Sequence, residues 1–180
     1  GSADQAYQAA AQVEITPLAS LSQQIREDAA AGRRSREFDS WEAATAYLGI
    51  DLPGPDGPTD LYFKLEEGQI SEIRLSVHKT YEGEWCAGIG VTAYVYTEYY
   101  TGEPGQFVLF HGDFEDAQAE EVSLSNGGTA QLIPVFSSNG SGTVTGYLSR
   151  GQGFYAVSAV CQKEDEQQVT EEVVRLLNSI

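Results

Sequence analysis

Residues 85–99 read WCAGIGVTAYVYTEY, and their alternation decides the fold class. Apolar side chains recur at every second position, which is typical of a β-strand with one buried face. That face carries Trp85, Ala87, Ile89, Val91, Ala93 and Val95. The opposite face carries Cys86, Gly88, Gly90, Thr92, Tyr94 and Tyr96. The stretch therefore predicts a long strand inside a sheet.

Similar patterns lie on both sides of this strand. Upstream, a turn at Gly68 separates two alternating runs, which contain Leu61, Phe63 and Leu65, then Ile73, Leu75 and Val77. Downstream, the turns 126–128, 139–142 and 151–153 separate four further strands that end near residue 161. Glycine and Asn-Gly pairs supply the positive φ angles that hairpins require. Seven antiparallel strands are therefore expected.

Helical patterns occur only outside this β region. The first predicted helix starts at Thr16 and Pro17, ends at Gly32, and has the apolar stripe Leu18, Leu21, Ile25 and Ala29. Arg33, Arg34 and Arg36 follow it, where positive charge suits the C-terminal end of a helix.

Two further helices are predicted. Asp39 and Glu42 form a capping-box pattern, and Gly49 with Ile50 forms a C-terminal stop. The last helix covers about residues 165–178, with the stripe Val169, Val173, Leu176, Leu177 and Ile180. The expected fold is α+β: a curved antiparallel sheet of about seven strands, with the N-terminal and C-terminal helices packed on one face.

Size and charge limit the class of protein. The chain has 180 residues, 41% of them hydrophobic, which suits one domain with a real core. Its net charge of −17 repels phosphate backbones, so we expect no nucleic-acid partner. No run of about 20 apolar residues could span a bilayer. A monomer is favoured.

The N-terminal region suggests that a segment has been removed. Gly1-Ser2 resembles an expression scar, and the chain contains no Met. We expect a lost signal peptide or membrane anchor, a linker over residues 1–15, and a single α+β domain over residues 16–180. The expected location is extracytoplasmic, with a membrane tether only through that removed anchor.

Cys86 and Cys161 are the two cysteines. Two interpretations stay open: one disulfide, which would fit an exported protein, or two small buried side chains on neighbouring strands. Sequence alone does not place their Cβ atoms.

Three stretches are similar to a known family. They are Thr16-Pro17-Leu18, the segment FDSWEAATAYLGIDLP at residues 38–53, and the tail 155–180. Together they resemble an uncharacterised family of extracytoplasmic C-terminal domains in membrane-anchored, often anti-sigma-like proteins of Gram-positive gut bacteria. The resemblance implies an exported, membrane-tethered module, and it brings no catalytic residues.

Acidic clusters offer candidate ion sites, for which turns and solvated loops are the preferred interpretation. His111, Asp113, Glu115 and Asp116 lack the spacing of a zinc or EF-hand site. Asp51, Asp56 and Asp60 are interrupted by three prolines. Glu66-Glu67 and Glu120-Glu121 are pairs that 27 acidic residues produce without any catalytic meaning. We therefore expect no metal, no cofactor and no catalytic residue.

The aromatic run Tyr94, Tyr96, Tyr99 and Tyr100 is the candidate ligand or partner surface. Tyrosines on a sheet face can stack against sugars or proteins at low entropy cost. The alternative is a face covered by a helix, with the hydroxyls reaching water.

The sequence thus predicts a non-enzymatic extracytoplasmic module for sensing, ligand binding or interaction, whose ligand or protein partner is unknown. Two alternatives remain. One is a carboxylate-dependent enzyme acting on cell-wall or dietary glycans, which requires two carboxylates facing each other in a deep cleft. The other is a structural spacer, which predicts no concave pocket and no large exposed aromatic patch.

Overall fold

The computed structural model describes residues 17, 18, 20–79, 86, 88–102 and 119–180. Within them, the helices are α1 (Gln23–Ala30), α2 (Trp41–Leu48) and α3 (Glu166–Ser179), the last preceded by a 3-10 turn, Lys163–Asp165. The strands are β1 (Ser35–Phe38), β2 (Thr59–Glu66), β3 (Gln69–Lys79), β4 (Gly88–Tyr96), β5 (Glu120–Ser123), β6 (Thr129–Phe136), β7 (Ser141–Arg150) and β8 (Gly153–Gln162).

All eight strands form one open antiparallel sheet in the order β1-β2-β3-β4-β8-β7-β6-β5. Two four-stranded meanders meet where β4 pairs with β8, with Val91 opposite Val157. The predicted α+β antiparallel fold is confirmed. The strand number differs by one, because the short strand β1 follows directly on α1 and was interpreted as a charged helix end.

The main core lies between the helices and one face of the sheet. The face alternation predicted for residues 89–95 is confirmed, since Ile89, Val91, Ala93 and Val95 are all buried there. The predicted stripe of α3 packs on the same side. Gly146 on β7 permits this contact, because a Cβ there would lie 2.5 Å from Leu177 Cδ1.

The predicted start of the first helix is wrong. Helix α1 begins at Gln23, and Pro17 is not helical. Leu18 forms a parallel bridge with Thr97, and its N–H donates to the Tyr96 carbonyl at 2.8 Å. Leu18 is buried, as its apolar character suggests. It is buried because its segment pairs with the end of β4, and not because it belongs to a helix. Thr16 lies outside the described residues.

The N-cap of α2 is shifted by one residue from the prediction. Ser40 is the cap, with extended backbone angles, and its Oγ accepts from the Ala43 N–H at 3.1 Å. Asp39 does not cap, because the helix begins only at Trp41. At the other end the prediction is confirmed: Gly49 is left-handed at φ 76°, and its N–H bonds the carbonyls of the last turn.

The second meander is confirmed, and its connections at residues 124–128, 137–140 and 151–152 overlap the three predicted turns, although the second one ends two residues earlier than predicted. Helix α3 is also confirmed to within one residue at each end. Strand β4 covers Gly88–Tyr96 and ends three residues before the predicted end at residue 99. Residues 1–15, the predicted linker, and Trp85 lie outside the described residues.

Candidate functional site

The structure separates the four candidate tyrosines. Tyr94 and Tyr96 are buried on the sheet face opposite the helices, where they belong to a second apolar cluster. Phe154 lies 6.5 Å from the Tyr94 ring and stacks nearly parallel on Tyr147 at 5.9 Å. Burial raises the pKa of both Tyr94 and Tyr96. These two rings serve packing in this structure and are not an exposed ligand surface.

Tyr99 and Tyr100 follow the end of β4 and differ from each other. Tyr99 is 45% exposed, while Tyr100 is half-buried with its ring 4.2 Å from that of Tyr96. Of the predicted surface, Tyr99 is thus the tyrosine that solvent reaches most.

A charged and aromatic row crosses the same sheet face. Register places Tyr62 opposite Arg74 and Arg74 opposite Tyr94. The Arg74 guanidinium carbon lies 5.9 Å from the Tyr62 ring centre and 5.4 Å from that of Tyr94. Such contacts are typical cation–π pairs. We did not predict this row from the sequence, although hairpin register combined with the period of two could have indicated it.

Glu72 is the buried carboxylate of this row. It is 5% exposed and forms ion pairs with Arg74 at 3.0 Å and with Lys64 at 3.6 Å. Both partners hold its charge in place. Their arrangement indicates a structural ion pair network on the sheet, since each group already has an opposite charge beside it.

An open cleft lies between α1, the β2–β3 turn and the residues that follow β4. Its volume is about 400 Å³, within the range of small-molecule sites. It is lined by Leu18, Ser20, Leu21, Arg26, Ala29, Ala30, Gly68, Gln69, Ile70, Thr97, Glu98 and Tyr99. The cleft therefore includes one of the four predicted tyrosines.

Thr97 fixes the wall that contains Glu98 and Tyr99. Its N–H donates to the Ser71 carbonyl at 3.0 Å, which ties the chain to β3 after β4 has ended. Its hydroxyl donates to the Ile70 carbonyl at 2.5 Å and accepts from the Tyr99 N–H at 3.2 Å. These bonds hold the turn that points the following side chains toward the cleft.

The floor of the cleft comes from the tight turn between β2 and β3. Glu67 and Gly68 have φ angles of 50° and 81°. Two successive positive φ angles are the mark of a type I′ hairpin turn, which matches the twist of the strands. The turn brings Gln69 and Ile70 beside Thr97.

Helix α1 forms the opposite wall and is anchored to α2. The Ser22 N–H donates to the Leu48 carbonyl at 3.1 Å, and the Ser22 hydroxyl donates to the Tyr47 carbonyl at 2.5 Å. Asp28 completes the anchor by accepting from the Tyr47 hydroxyl at 2.5 Å. The wall is thus positioned by contacts on its far side, which leaves its cleft side free for other contacts.

The lining combines apolar and charged groups. Leu18 and Ile70 are buried, and Leu21 is half-buried. Arg26 on α1 and Glu98 after β4 are exposed, and neither forms an ion pair within 4.0 Å in the part of the chain that the structure describes. The cleft therefore offers a positive and a negative group that do not neutralise each other directly.

The other predicted sites are located as follows. His111, Asp113, Glu115 and Asp116 lie outside the described residues. Among those described, no group of three or more His, Cys, Asp or Glu side chains could hold a metal ion. His78 packs over Gly90, where a Cβ would lie 3.2 Å from His78 Nδ1.

Cys86 and Cys161 are free and buried, and both belong to the main core. Cys86 therefore lies on the helix side, and not on the Tyr94 side as alternation predicted, and it precedes strand β4, which begins at Gly88. Burial first, and then the neighbouring Cys86, raise the pKa of the Cys161 thiol from 9.0 to about 11. The disulfide stays a prediction.

Comparisons with models of protein families, with curated proteins and with solved structures gave no match to this chain. Among the residues that the structure describes, no helix is long and apolar enough to cross a membrane.

Proposed function

We propose that this chain is a non-enzymatic ligand-binding module and that the cleft beside Tyr99 is its binding site. The single observation that supports the proposal is an open concavity of about 400 Å³ with mixed apolar and polar lining. Ligand sites typically combine an apolar wall with a few polar groups that fix orientation. Leu18, Leu21 and Ile70 supply the first, and Arg26 and Glu98 the second.

The geometry of the cleft favours binding over the two alternatives. A glycan hydrolase would need two carboxylates facing each other. Glu98 is the one carboxylate among the described residues that line this cleft. A spacer predicts no concave pocket, so the cleft counts against that role as well.

The proposed location is extracytoplasmic, on a membrane-tethered protein. It rests on the resemblance of residues 38–53 and of the tail to the extracytoplasmic family. Fractionation of the source cells tests it: the chain should be found outside the cytoplasm, and a cytosolic protein with no hydrophobic segment would contradict it.

Thermal unfolding against a panel of compounds tests the binding site. The panel contains calcium, EDTA, cell-wall fragments, plant and mucin sugars, and amino acids. A compound that binds only the native state stabilises it by about 2.7 kcal/mol at a hundredfold excess over its Kd. We expect a rise in Tm with at least one compound.

Two substitutions locate the site. Ala30→Trp fills the cleft from an exposed position, and Tyr99→Ala removes its aromatic rim. Both should abolish or strongly reduce the shift. Tyr62→Ala is the matched control, because Tyr62 is 42% exposed, close to the 45% of Tyr99, and does not line the cleft. A shift lost with Tyr62→Ala but kept with Ala30→Trp would reject the cleft as the site.

A further inference from the structure

The two charges of the cleft suggest what kind of molecule it takes. Arg26 belongs to α1 and Glu98 to the turn after β4, so they stand on different walls. They form no ion pair with each other or with another described residue. Each charge is therefore available to pair with an opposite charge on a ligand, Arg26 with a negative group and Glu98 with a positive one.

The rest of the lining limits the remainder of that ligand. Leu18, Leu21 and Ile70 form apolar surface, with Ala29 and Ala30 at the edge of α1. An apolar side chain gains free energy by leaving water for such a surface, by roughly 25 cal/mol per Å². Tyr99 adds an aromatic rim at low entropy cost.

The polar groups at the base already have partners. The Thr97 hydroxyl donates to the Ile70 carbonyl and accepts from the Tyr99 N–H. Charge recognition is thus left to the two exposed side chains. The whole chain has a net charge of −17, so an arginine without an acidic partner among the described residues is unusual in this protein.

We propose that the cleft binds a small zwitterion with an apolar side chain, such as a free apolar α-amino acid. Arg26 pairs with its carboxylate, Glu98 pairs with its ammonium group, and Leu21 and Ile70 contact its side chain. This proposal rests on the proposed function, and it names the ligand class for the same site.

Calorimetric titration with leucine and three analogues tests the assignment. N-acetyl-leucine lacks the ammonium charge, and leucinamide lacks the carboxylate. Leucine should bind, and each of these two analogues should bind at least about tenfold more weakly, because each loses one pairing between opposite charges. Leucyl-leucine carries the same charges further apart. If it binds more tightly than leucine, the source of the zwitterion is a peptide; if more weakly, a free amino acid.

Variants connect each charge to its residue. Arg26→Gln should weaken the binding of leucine and of N-acetyl-leucine about tenfold, but the affinity for leucinamide should not change. Glu98→Gln should weaken the binding of leucine and of leucinamide, but the affinity for N-acetyl-leucine should not change. Both residues are exposed and outside any described ion pair, so both variants should keep the wild-type Tm. Glu171→Gln, on the exposed surface of α3, is the charge control.

The assignment is overturned if leucine does not bind, or if either variant leaves leucine affinity unchanged. These failures are separable from failure of the proposed function. If another compound still binds in a manner that Ala30→Trp abolishes, the cleft remains the site and only the ligand class is wrong. If Ala30→Trp affects no ligand, both proposals fall.

Discussion

The Tyr47 hydroxyl donates to Asp28 Oδ2 at 2.5 Å and so joins α2 to α1, the helix that forms one wall of the cleft. Arg36 approaches the same carboxylate at 2.8 Å, and its guanidinium carbon lies 5.0 Å from the Tyr47 ring centre. The Tyr47 hydrogen bond first, and then Arg36 and Arg33, hold the pKa of the Asp28 carboxyl below its ordinary value of 3.8, against the opposing effect of burial.

Tyr47→Phe removes this hydrogen bond and keeps the ring. We expect a loss of about 1 kcal/mol in the free energy of unfolding at neutral pH. Because the pKa of Asp28 is lowered on folding, its contribution is complete above pH 3.8 and disappears as the pH falls through the lower folded value. The difference between variant and wild type should therefore shrink in acid.

Urea unfolding from about pH 7 down to about pH 2.5 measures that difference. Tyr62→Phe is the control, because Tyr62 is exposed and should lose nothing at either end of the range. A pH-independent loss in Tyr47→Phe would contradict the assigned role of the Asp28 carboxylate.

Cys161 makes a second prediction at this scale. A pKa of about 11 in place of 9.0 leaves roughly a hundredfold less thiolate at pH 8, and the thiolate is the reactive form. Native protein should therefore react slowly with a thiol reagent, and two thiols should appear on unfolding. Val160→Cys in a variant without the native cysteines, at a position 49% exposed, provides the fast control. No thiol in unfolded, unreduced protein would instead establish the disulfide.

For the tyrosines of β4, the sequence predicted which residues share a face but not whether that face is buried. The alternation in β4 predicted that Tyr94 and Tyr96 share a face, which is confirmed. It did not predict whether that face is buried, because burial depends on segments distant in the chain. Of the four tyrosines proposed as a surface, Tyr99 lines the cleft.

At the scale of elements, helix ends were predicted well where a glycine was involved and less well where a polar cap was. Gly49 needs its left-handed backbone, and few other residues adopt it. Asp39 and Ser40 are both good caps by residue type, so only the backbone angles choose between them. Strand β1 was missed because four residues are too short for periodicity to detect.

The choice of cap can be measured. Ser40→Ala should lower the free energy of unfolding by about 1 kcal/mol, because Ser40 Oγ accepts from the Ala43 N–H. Asp39→Ala, one residue earlier, should lower the free energy of unfolding by only a few tenths of that amount. Chemical denaturation of both variants compares them directly, and a larger loss in Asp39→Ala would restore the cap predicted from sequence.

Gly49 gives a further test of the α1–α2 contact. A Cβ at Gly49 would meet Ser22 Cβ at 3.3 Å in addition to the strain of φ 76°. Gly32 has φ 84° but nothing within 4 Å of such a Cβ. Gly32→Ala should therefore cost about 1 kcal/mol for backbone strain, and Gly49→Ala more. Equal losses in thermal unfolding would mean that Ser22 makes no tight contact there.

On the scale of the whole molecule, the fold class was predictable and the cleft was not. Repeated alternation and four glycine turns predicted an antiparallel sheet, and the stripe of α3 predicted a helix on one side of it. The cleft is formed by three segments, around residues 18–30, 68–70 and 97–99. Their proximity depends on sheet register and on the docking of Leu18 against Thr97, which no local pattern specifies.

The central claim is that this cleft binds a small ligand. Amide chemical-shift mapping of labelled protein, titrated with leucine and with any compound that raises Tm in the panel, tests it most directly. We expect the largest shifts to cluster in the three segments that line the cleft. Shifts centred instead on Tyr62, Arg74 and Phe154, on the opposite sheet face, or no shifts with any compound, would contradict it.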